Sequence, residues 1–266
     1  MDKIVSLCRR RGFVFPGSEI YGGLANSWDF GHLGTELFHN IGALWWKKFV
    51  TERDDMIGIR GPIIMNPKVW EASGHLSSFT DPLVECKVCH ERFRADHADE
   101  LAQHADTHKG EDMSWTEPKN FNLLFKTFMG SVEDTKSVAY LRGETAQTMF
   151  TDFKIMTDTT RKRLPFGIAQ IGKSFRNEVT PGNFIFRTRE FTIAELEYFV
   201  KPGEEDKYFK EWLEFQENFL VNDIGLRVEN LRRYEHPKES LAHYSKGTFD
   251  IEYKFPFGWQ EIEGIA

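Results

Sequence analysis

The chain has 266 residues and a formal charge of −7, from 34 Lys and Arg against 41 Asp and Glu. Hydrophobic residues at 40% and charged residues at 28% exclude global disorder, and no run of about 18 apolar residues is present to span a membrane. The start MDKIVSLCRRRGF has its basic residues after a short apolar run, the wrong order for a secretory signal, and three cysteines cannot build a disulfide framework, so a cytoplasmic, reducing setting is expected.

A pI near 5.8 restricts any nucleic-acid contact to a local patch. Phenylalanine is abundant, at 24 residues, which suggests thick packing layers or flat walls for a flat ligand.

In chain order, residues 2–11 are expected to form a short helix capped by Asp2, with Ile4, Val5, Leu7 and Cys8 as its apolar stripe. The Gly- and aromatic-rich stretch FVFPGSEIYGGLANSWDFG reads as a folded loop or hairpin. Residues 35–50 carry Leu37, Phe38, Ile41, Leu44, Trp45 and Phe49 on one helical face, with Thr35 as N-cap and Glu36 in the first turn. Trp46 lies off that stripe, facing a partner or packing under a loop of its own chain. Residues 56–65 alternate as a strand that stops at Asn66-Pro67.

Residues 82–118 are charged, His-rich and poor in long apolar side chains, as in an insertion. Strands are expected at 120–126, 137–142, 167–176, 184–191, 193–200 and 249–255, and helices at 145–156 and 204–221. The fold class is therefore α+β, a mainly antiparallel sheet flanked by helices. The division is 1–81 core, 82–118 insertion and 119–266 core. The end GWQEIEGIA alternates like a buried strand without a polar tail, and a continuing chain is expected.

Residues 166–200 concentrate the chemistry. They read as strand, turn at Thr180, Pro181, Gly182 and Asn183, strand, then a third extended run. Period two puts Arg187 and Arg189 with Ile185 and Phe191, and Glu195 with Glu197. Such a face is either the solvated side of a half-buried sheet with cross-strand ion pairs, or a nucleotide site in which arginine forks grip phosphate.

Phe175-Arg176-Asn177-Glu178, followed by Arg187-Thr-Arg-Glu-Phe191-Thr-Ile-Ala-Glu195, resembles motif 2 of class II aminoacyl-tRNA synthetases at every fixed position. The stretches RGFVFPGSEIYGGL, MNPKVWEASGH, FRADH, YLRGETAQ and LAHYSKGTFDIEYKFPFGWQEIEGIA extend the resemblance over the whole chain, to the homodimeric glycyl-tRNA synthetases. Gly143 stands where those proteins generally carry Pro, and Thr148 where they carry Gly.

The resemblance implies activation of glycine by ATP to glycyl-adenylate and transfer to tRNA(Gly). It implies ATP contacts at Arg176, Asn177, Glu178, Phe186, Arg187, Thr188, Arg189, Glu190, Phe191, Glu261 and Ile262. Arg176 would be the catalytic grip on the α-phosphate, Glu178 would accept from the adenine amino group, and Phe191 would stack on adenine. The 186–191 strand would floor the ATP site with Arg187 near the outer phosphates, and Glu261, beside Ile262, would hold Mg²⁺. Glu144 and Glu195 would bind the glycine ammonium, the run Phe191, Thr192, Ile193, Ala194 and Glu195 would line the pocket, and Arg94 would reach in from the insertion.

Residues 35–67 would serve as the dimer-forming motif 1. Motif 3 and the anticodon-binding domain of full-length members lie beyond the equivalent of residue 266. A non-catalytic module that keeps ATP, glycine or dimer binding without turnover is the alternative function, and little or no adenylation is expected of these residues alone.

Cys86-x2-Cys89 followed by His104-x3-His108 has the spacing of tetrahedral zinc modules, with His90 and His97 as spare ligands. A structural Zn²⁺ would explain how so polar a segment folds; the alternative is a solvated loop with two thiols. Glu91, Asp96, Asp99, Glu100, Asp106, Glu111 and Asp112 make a DNA-binding finger implausible. The basic run Arg161-Lys162-Arg163 is either a tRNA phosphate contact or a solvated turn.

Overall fold

The computed structural model describes residues 1–266 apart from 111, 180, 181 and 242–244. Helix α1 (Asp2–Arg11) begins behind Met1, so Asp2 sits in the first turn and caps nothing with its side chain. Gly12 ends it in the left-handed region at φ 74°. The aromatic stretch is a hairpin of β1 (Val14–Pro16) and β2 (Trp28–Phe30).

Helix α2 (His32–Trp46) starts three residues before the expected cap. Gly31 is its N-cap, because a Cβ there would overlap the Gly12 carbonyl, and Thr35 instead lies inside the first turn. A π-helical turn at Lys47–Thr51 continues it. Only the C-terminal part of its apolar stripe is buried, at Trp45 and Phe49. Trp46 packs inside its own chain, over Gly58, where any side chain would overlap the indole.

The expected strand 56–65 is shorter. β3 (Met56–Gly58) covers only the first three of these residues, and Ile64 farther on forms an isolated bridge to Leu141. α3 (Pro67–Ala72) is capped by the Asn66 side chain accepting from Lys68 N at 3.0 Å, and α4 (His75–Ser78) follows. Across the segment expected to be an insertion, β4 (Thr80–Glu85) is the centre strand between β5 (Arg92–Arg94) and β6 (Lys119–Asn122), with α5 (Ala98–Thr107) packed beside β5.

β7 (Lys126–Phe128) pairs with β8 (Val138–Tyr140). The expected helix 145–156 is divided at Asp152 into α6 (Ala146–Thr151) and α7 (Phe153–Thr160).

The long hairpin of β9 (Phe166–Phe175) and β10 (Glu190–Phe199) organises the rest, with β3 joined to β9 in parallel. The expected strand at 184–191 is instead mostly loop. Asn183 and Phe184 have φ of 56° and 63°, a left-handed pair that reverses the chain and cannot continue a ladder. The strand starts at Glu190 and runs unbroken to Phe199. Thr180 and Pro181 of the expected turn lie outside the described residues. α8 (Glu205–Asn218) then leads to a sheet of β11 (Leu231–Glu235), β12 (Phe249–Phe255) and β13 (Gly258–Ile265).

All other strand pairs among the described residues are antiparallel, and the architecture is α+β. Period two divides the β9–β10 hairpin into two environments. Ala169, Ile171, Leu196 and Tyr198 face a core built from α2, α8, β12 and β13, where Phe49 is fully buried between Trp45, Trp212, Phe215 and Phe219. The opposite face carries Phe166, Ile168 and Phe199 against Ala146, Met149 and Phe153. Farther along that same face polar and apolar residues mix, with Gln170, Glu195 and Ser174 beside Ile193 and Phe191.

Candidate active site

The polar end of the hairpin face is closed by the 141–145 loop and the first turn of α6. Gln170, fully buried, donates from Nε2 to Thr145 O at 2.6 Å and accepts at Oε1 from Gly61 N at 3.1 Å. Arg142 is buried too. Its Nε donates to Lys173 O at 2.6 Å and its Nη1 to Gly61 O at 3.0 Å. It lies across Gly172, where a Cβ would overlap Nη2, so only glycine fits opposite Ile193 in the register. Burial pulls the Arg142 guanidinium below its ordinary value, opposed by the charge of Glu195. The motif spacing assigns nothing to Arg142 and Gln170. A buried arginine answering to carbonyl oxygens leaves no local pattern in a sequence.

Glu195 accepts from Thr145 N at 2.8 Å and from the Thr145 hydroxyl. Burial, with the negative charge of Glu144 beside it, raises its carboxyl above the usual range despite those bonds. Glu144 accepts from Gln147 Nε2, and His75 Nε2 lies 3.2 Å from its Oε1. The Nε2–H tautomer satisfies the imidazole at both ends, since Ser73 Oγ lies 2.9 Å from Nδ1 and can donate there. Burial acts to raise Glu144, but the His75 and Gln147 contacts and the Arg176 charge outweigh it and hold the carboxyl low. Two neighbouring carboxyls are thus driven in opposite directions.

Arg176 follows the end of β9. Its Nε donates to Gly143 O at 3.1 Å, and its guanidinium lies between two rings, 5.3 Å from the Phe79 centroid and 5.4 Å from the Phe191 centroid. Four carboxyls experience its positive charge: Glu144, Glu178, Glu195 and Glu261. The first three come from the loop and the hairpin, and Glu261 from β13. One guanidinium thus acts on carboxyls spread over more than a hundred positions of the sequence.

Glu178 is raised by burial, against the pull of Arg187, Arg176 and Arg94. Arg94, on β5, forms an ion pair with buried Asp81 at 3.0 Å and a two-bond fork with Asp96 at 3.0 and 2.8 Å. Asn177 donates its backbone N–H to Leu123 O at 2.7 Å. Arg187 closes the 182–187 loop by exchanging backbone hydrogen bonds with Gly182 at 3.2 Å. Phe186 packs edge-on against Phe255 and Phe257, docking that loop on the β12–β13 turn.

Other predicted residues have different surroundings. Arg189 donates to Glu178 O at 3.0 Å and to Ala25 O at 3.3 Å, tying the loop to the N-terminal hairpin. Thr188 donates to Glu190 O at 2.8 Å, and Glu190 pairs with Lys173 at 2.8 Å on the neighbouring strand. Of the run 191–195, only Phe191, Ile193 and Glu195 share the Glu144 side. Thr192 and Ala194 go to the opposite face because the strand is regular there, which corrects the expectation that the whole run lines one pocket.

Glu261 and Ile262 also separate. Ile262 is the extra residue of a bulge opposite Ile251 and Glu252, and its side chain packs into the main core. Burial, then Asp250, raises Glu261.

Cys86, Cys89, His104 and His108 come together, their ligand atoms all within 4.8 Å of one another. The spare histidines are elsewhere: His90 faces Glu85 at 3.0 Å and His97 faces Glu100 at 3.2 Å. In the basic run, Arg161 caps α7 with a left-handed φ of 57°, and Lys162 donates to Asp54 O.

Residues 130–261 match the tRNA synthetase class II core domain (G, H, P, S and T). The whole chain is similar to a glycine–tRNA ligase of Caldanaerobacter subterraneus subsp. tengcongensis, at 53% identity over 63% of that protein. It is likewise similar to one of Streptomyces coelicolor, at 53% over 61%, and to one of Geobacillus thermodenitrificans, at 51% over 62%. The chain thus spans a little over three-fifths of the length of these relatives. No described helix is long and apolar enough to cross a membrane. The motif 2 residues gathered round Arg176, the match to the core domain and the identity along the whole chain agree, and the chain belongs to the class II aminoacyl-tRNA synthetases, as a relative of the glycine–tRNA ligases.

Proposed function

We propose that this chain carries the adenylate-forming part of a glycine–tRNA ligase, which activates glycine with ATP and passes it to tRNA(Gly). The observation that supports it best is Arg176, held between Phe79 and Phe191 with four carboxyls around it. In the reaction a glycine carboxylate oxygen bonds to the α-phosphorus of ATP as the bond to the β-phosphate oxygen breaks, and pyrophosphate leaves in line. No enzyme nucleophile is needed, so the work is orientation and charge stabilisation.

Arg176 spends Nε on Gly143 O and keeps its two terminal nitrogens for phosphate oxygen and the attacking carboxylate. Phe191 offers its ring to adenine, Glu178 accepts from the adenine amino group, and Arg187 meets the outer phosphates. Glu144 and Glu195 take the glycine ammonium, beside the side-chain-free Gly172 and under Ile193, where a larger amino acid meets atoms already in contact. Glu261, with Asp250 and Glu252 near it, is the kind of oxygen donor set that holds Mg²⁺, which supplies charge neutralisation on the phosphates.

The partner of the first segment is a second copy. Leu33, Leu37 and Ile41 share one helical face and stand 40–50% exposed, and Ile20 and Tyr21 are nearly bare. This reading implies a cytoplasmic protein, where translation takes place. It includes a structural Zn²⁺ at Cys86, Cys89, His104 and His108, supported by the convergence of their ligand atoms. The domain division follows the same lines, with 82–118 as an insertion whose strands sit beside the core.

The test is glycine-dependent ATP–pyrophosphate exchange, with Arg176→Ala as the comparison. Exchange that the substitution abolishes supports the ligase. ATP bound without exchange supports a module that retains the site without turnover. Failure to bind ATP or glycine at all overturns both.

A further inference from the structure

The cysteines and Arg94 occupy opposite ends of one hairpin. Cys86 follows β4 directly, and β5 begins three residues after Cys89. Asp81 lies five residues before Cys86, and Arg94 five residues after Cys89. The Asp81–Arg94 pair, 3.0 Å apart, therefore sits at the far end of the two strands that the cysteine turn joins. That end faces motif 2: Asn177 donates its backbone N–H to Leu123 O at 2.7 Å, one residue past β6, and the Arg176 guanidinium lies 5.3 Å from the ring of Phe79, two residues before Asp81.

The turn end has the features of a metal centre beyond four convergent atoms. A tetrahedral zinc ion with bonds of about 2.3 Å to sulfur and about 2.0–2.1 Å to nitrogen brings S and N ligands roughly 3.5 Å apart; Cys89 Sγ and His104 Nε2 are 3.3 Å apart. The other nitrogen of His104 faces Glu91 Oε2 at 3.4 Å, the outer-shell carboxylate that fixes the Nδ1–H tautomer and leaves Nε2 for the metal. Cys86 is fully buried, and its backbone N–H donates to Glu91 O at 2.9 Å.

The cluster is also wired to β5 through packing. The Phe93 ring stands 4.5 Å from the His104 ring and 5.5 Å from Trp115. Phe93 is the neighbour of Arg94. Trp115 bridges to Cys86 across the backbone. β5 itself has three residues and, among the described residues, pairs with one strand, β4.

We propose that zinc at Cys86, Cys89, His104 and His108 acts as a positioning device, fixing the short strand β5 so that Arg94 and Asp81 present a formed ion pair to Glu178. The inference rests on the zinc reading above. Asp81 is the relay: one oxygen holds Arg94, and the other is buried with no hydrogen-bond partner among the described residues. Removing the metal frees the hairpin turn and detaches Arg94 from motif 2, whereas the β9–β10 hairpin is held by its own ladder and stays intact.

The test uses the chain itself, with metal content by mass spectrometry and amide hydrogen exchange as readouts, neither of which needs turnover. The parent chain is expected to bind one zinc, and Cys89→Ser none. On chelation, exchange is expected to quicken at least about 10-fold in peptides covering 82–95, and also in those covering 175–178, while 166–172 keeps its protection. Asp81→Asn is expected to retain the zinc and the protection of 86–108 yet lose that of 175–178. A chain that binds no zinc overturns the metal reading and the inference together. Zinc binding whose removal quickens exchange only within 86–108 leaves the metal reading standing and overturns the positioning role.

Discussion

The Arg176 guanidinium carbon lies 5.4 Å from the centroid of the Phe191 ring. The two residues are 15 apart in sequence, one just past the end of β9 and the other one residue into β10. The ladder brings them together, because Glu190 pairs with Phe175 and Phe191 with Ser174. The ring is thereby both a partner for the cation and a wall for a flat ligand. Phe191→Leu keeps apolar bulk and removes the π-face. ATP affinity is expected to fall roughly 3–10-fold, the worth of an aromatic contact at about 0.5–1.5 kcal/mol, measured by equilibrium dialysis. An unchanged affinity excludes stacking of adenine on this ring.

At Gly172 the Arg142 guanidinium lies directly against the backbone. A methyl group there overlaps Arg142 Nη2, and Arg142 cannot move freely because its Nε and Nη1 hold Lys173 O and Gly61 O. Gly172→Ala is expected to lower folding stability by about 1–3 kcal/mol, the usual cost of overpacking, and to weaken glycine binding in parallel. Denaturant unfolding measures the first and calorimetric glycine titration the second. Gly42→Ala serves as the control: its Cβ would meet only Ile171 Cδ1 at 3.9 Å, so the comparison isolates the clash. Equal stability of the two variants sinks the argument.

The same hairpin shows what the sequence made legible. The Phe175–Glu178 and Arg187–Glu195 motif carries its own spacing, and period two correctly put Glu195 with Glu197 and Ala194 with Leu196 and Tyr198. It failed where the backbone stays out of the extended region past the expected turn residue Asn183, at Phe184, since an aromatic residue does not announce a left-handed conformation as glycine or asparagine does. Ion pairs and hydrogen bonds between distant segments were not legible. His75 meets Glu144 across 69 residues and Gln170 meets Gly61 across 109, and no local periodicity encodes either. The α2 stripe was legible as a stripe, but periodicity identifies an apolar face without saying whether it is covered by its own chain. Trp45 and Phe49 are, whereas Leu37 and Ile41 are exposed.

That exposed part of α2 predicts self-association. Leu37→Glu with Ile41→Glu puts two carboxylates on the face and removes apolar area that a second copy would cover, leaving the buried Trp45 and Phe49 end untouched. Sedimentation equilibrium is expected to show a dimer for the parent chain and a monomer for the double variant, with unchanged circular dichroism. A parent chain already monomeric at high micromolar concentration rules the surface out as an isologous interface.

Glu197 completes the row of carboxyls on the site face and is the one that motif 2 spacing does not assign. Burial, then the charges of Glu195 and Glu144, pushes its carboxyl up to about 8. In the unfolded chain it titrates near ~4.3. The folded state therefore binds this proton more tightly than the unfolded state. The linked stability is fully present below the unfolded value and is lost as pH rises through about 8. Glutamine has nearly the same shape and cannot ionise, so Glu197→Gln keeps the neutral form at every pH. Its thermal midpoint is expected to match the parent at about pH 4 and to exceed it by several degrees at about pH 9, where the parent carries a buried, like-charged neighbour to Glu195. Glu263, which burial alone pushes up to about 8 on β13, is expected to contribute a separate and additive increment in Glu263→Gln. If the gap between Glu197→Gln and the parent is the same at both pH values, the Glu197 carboxyl is not held neutral in the fold, and a charged group must then be compensated by a partner across the site face.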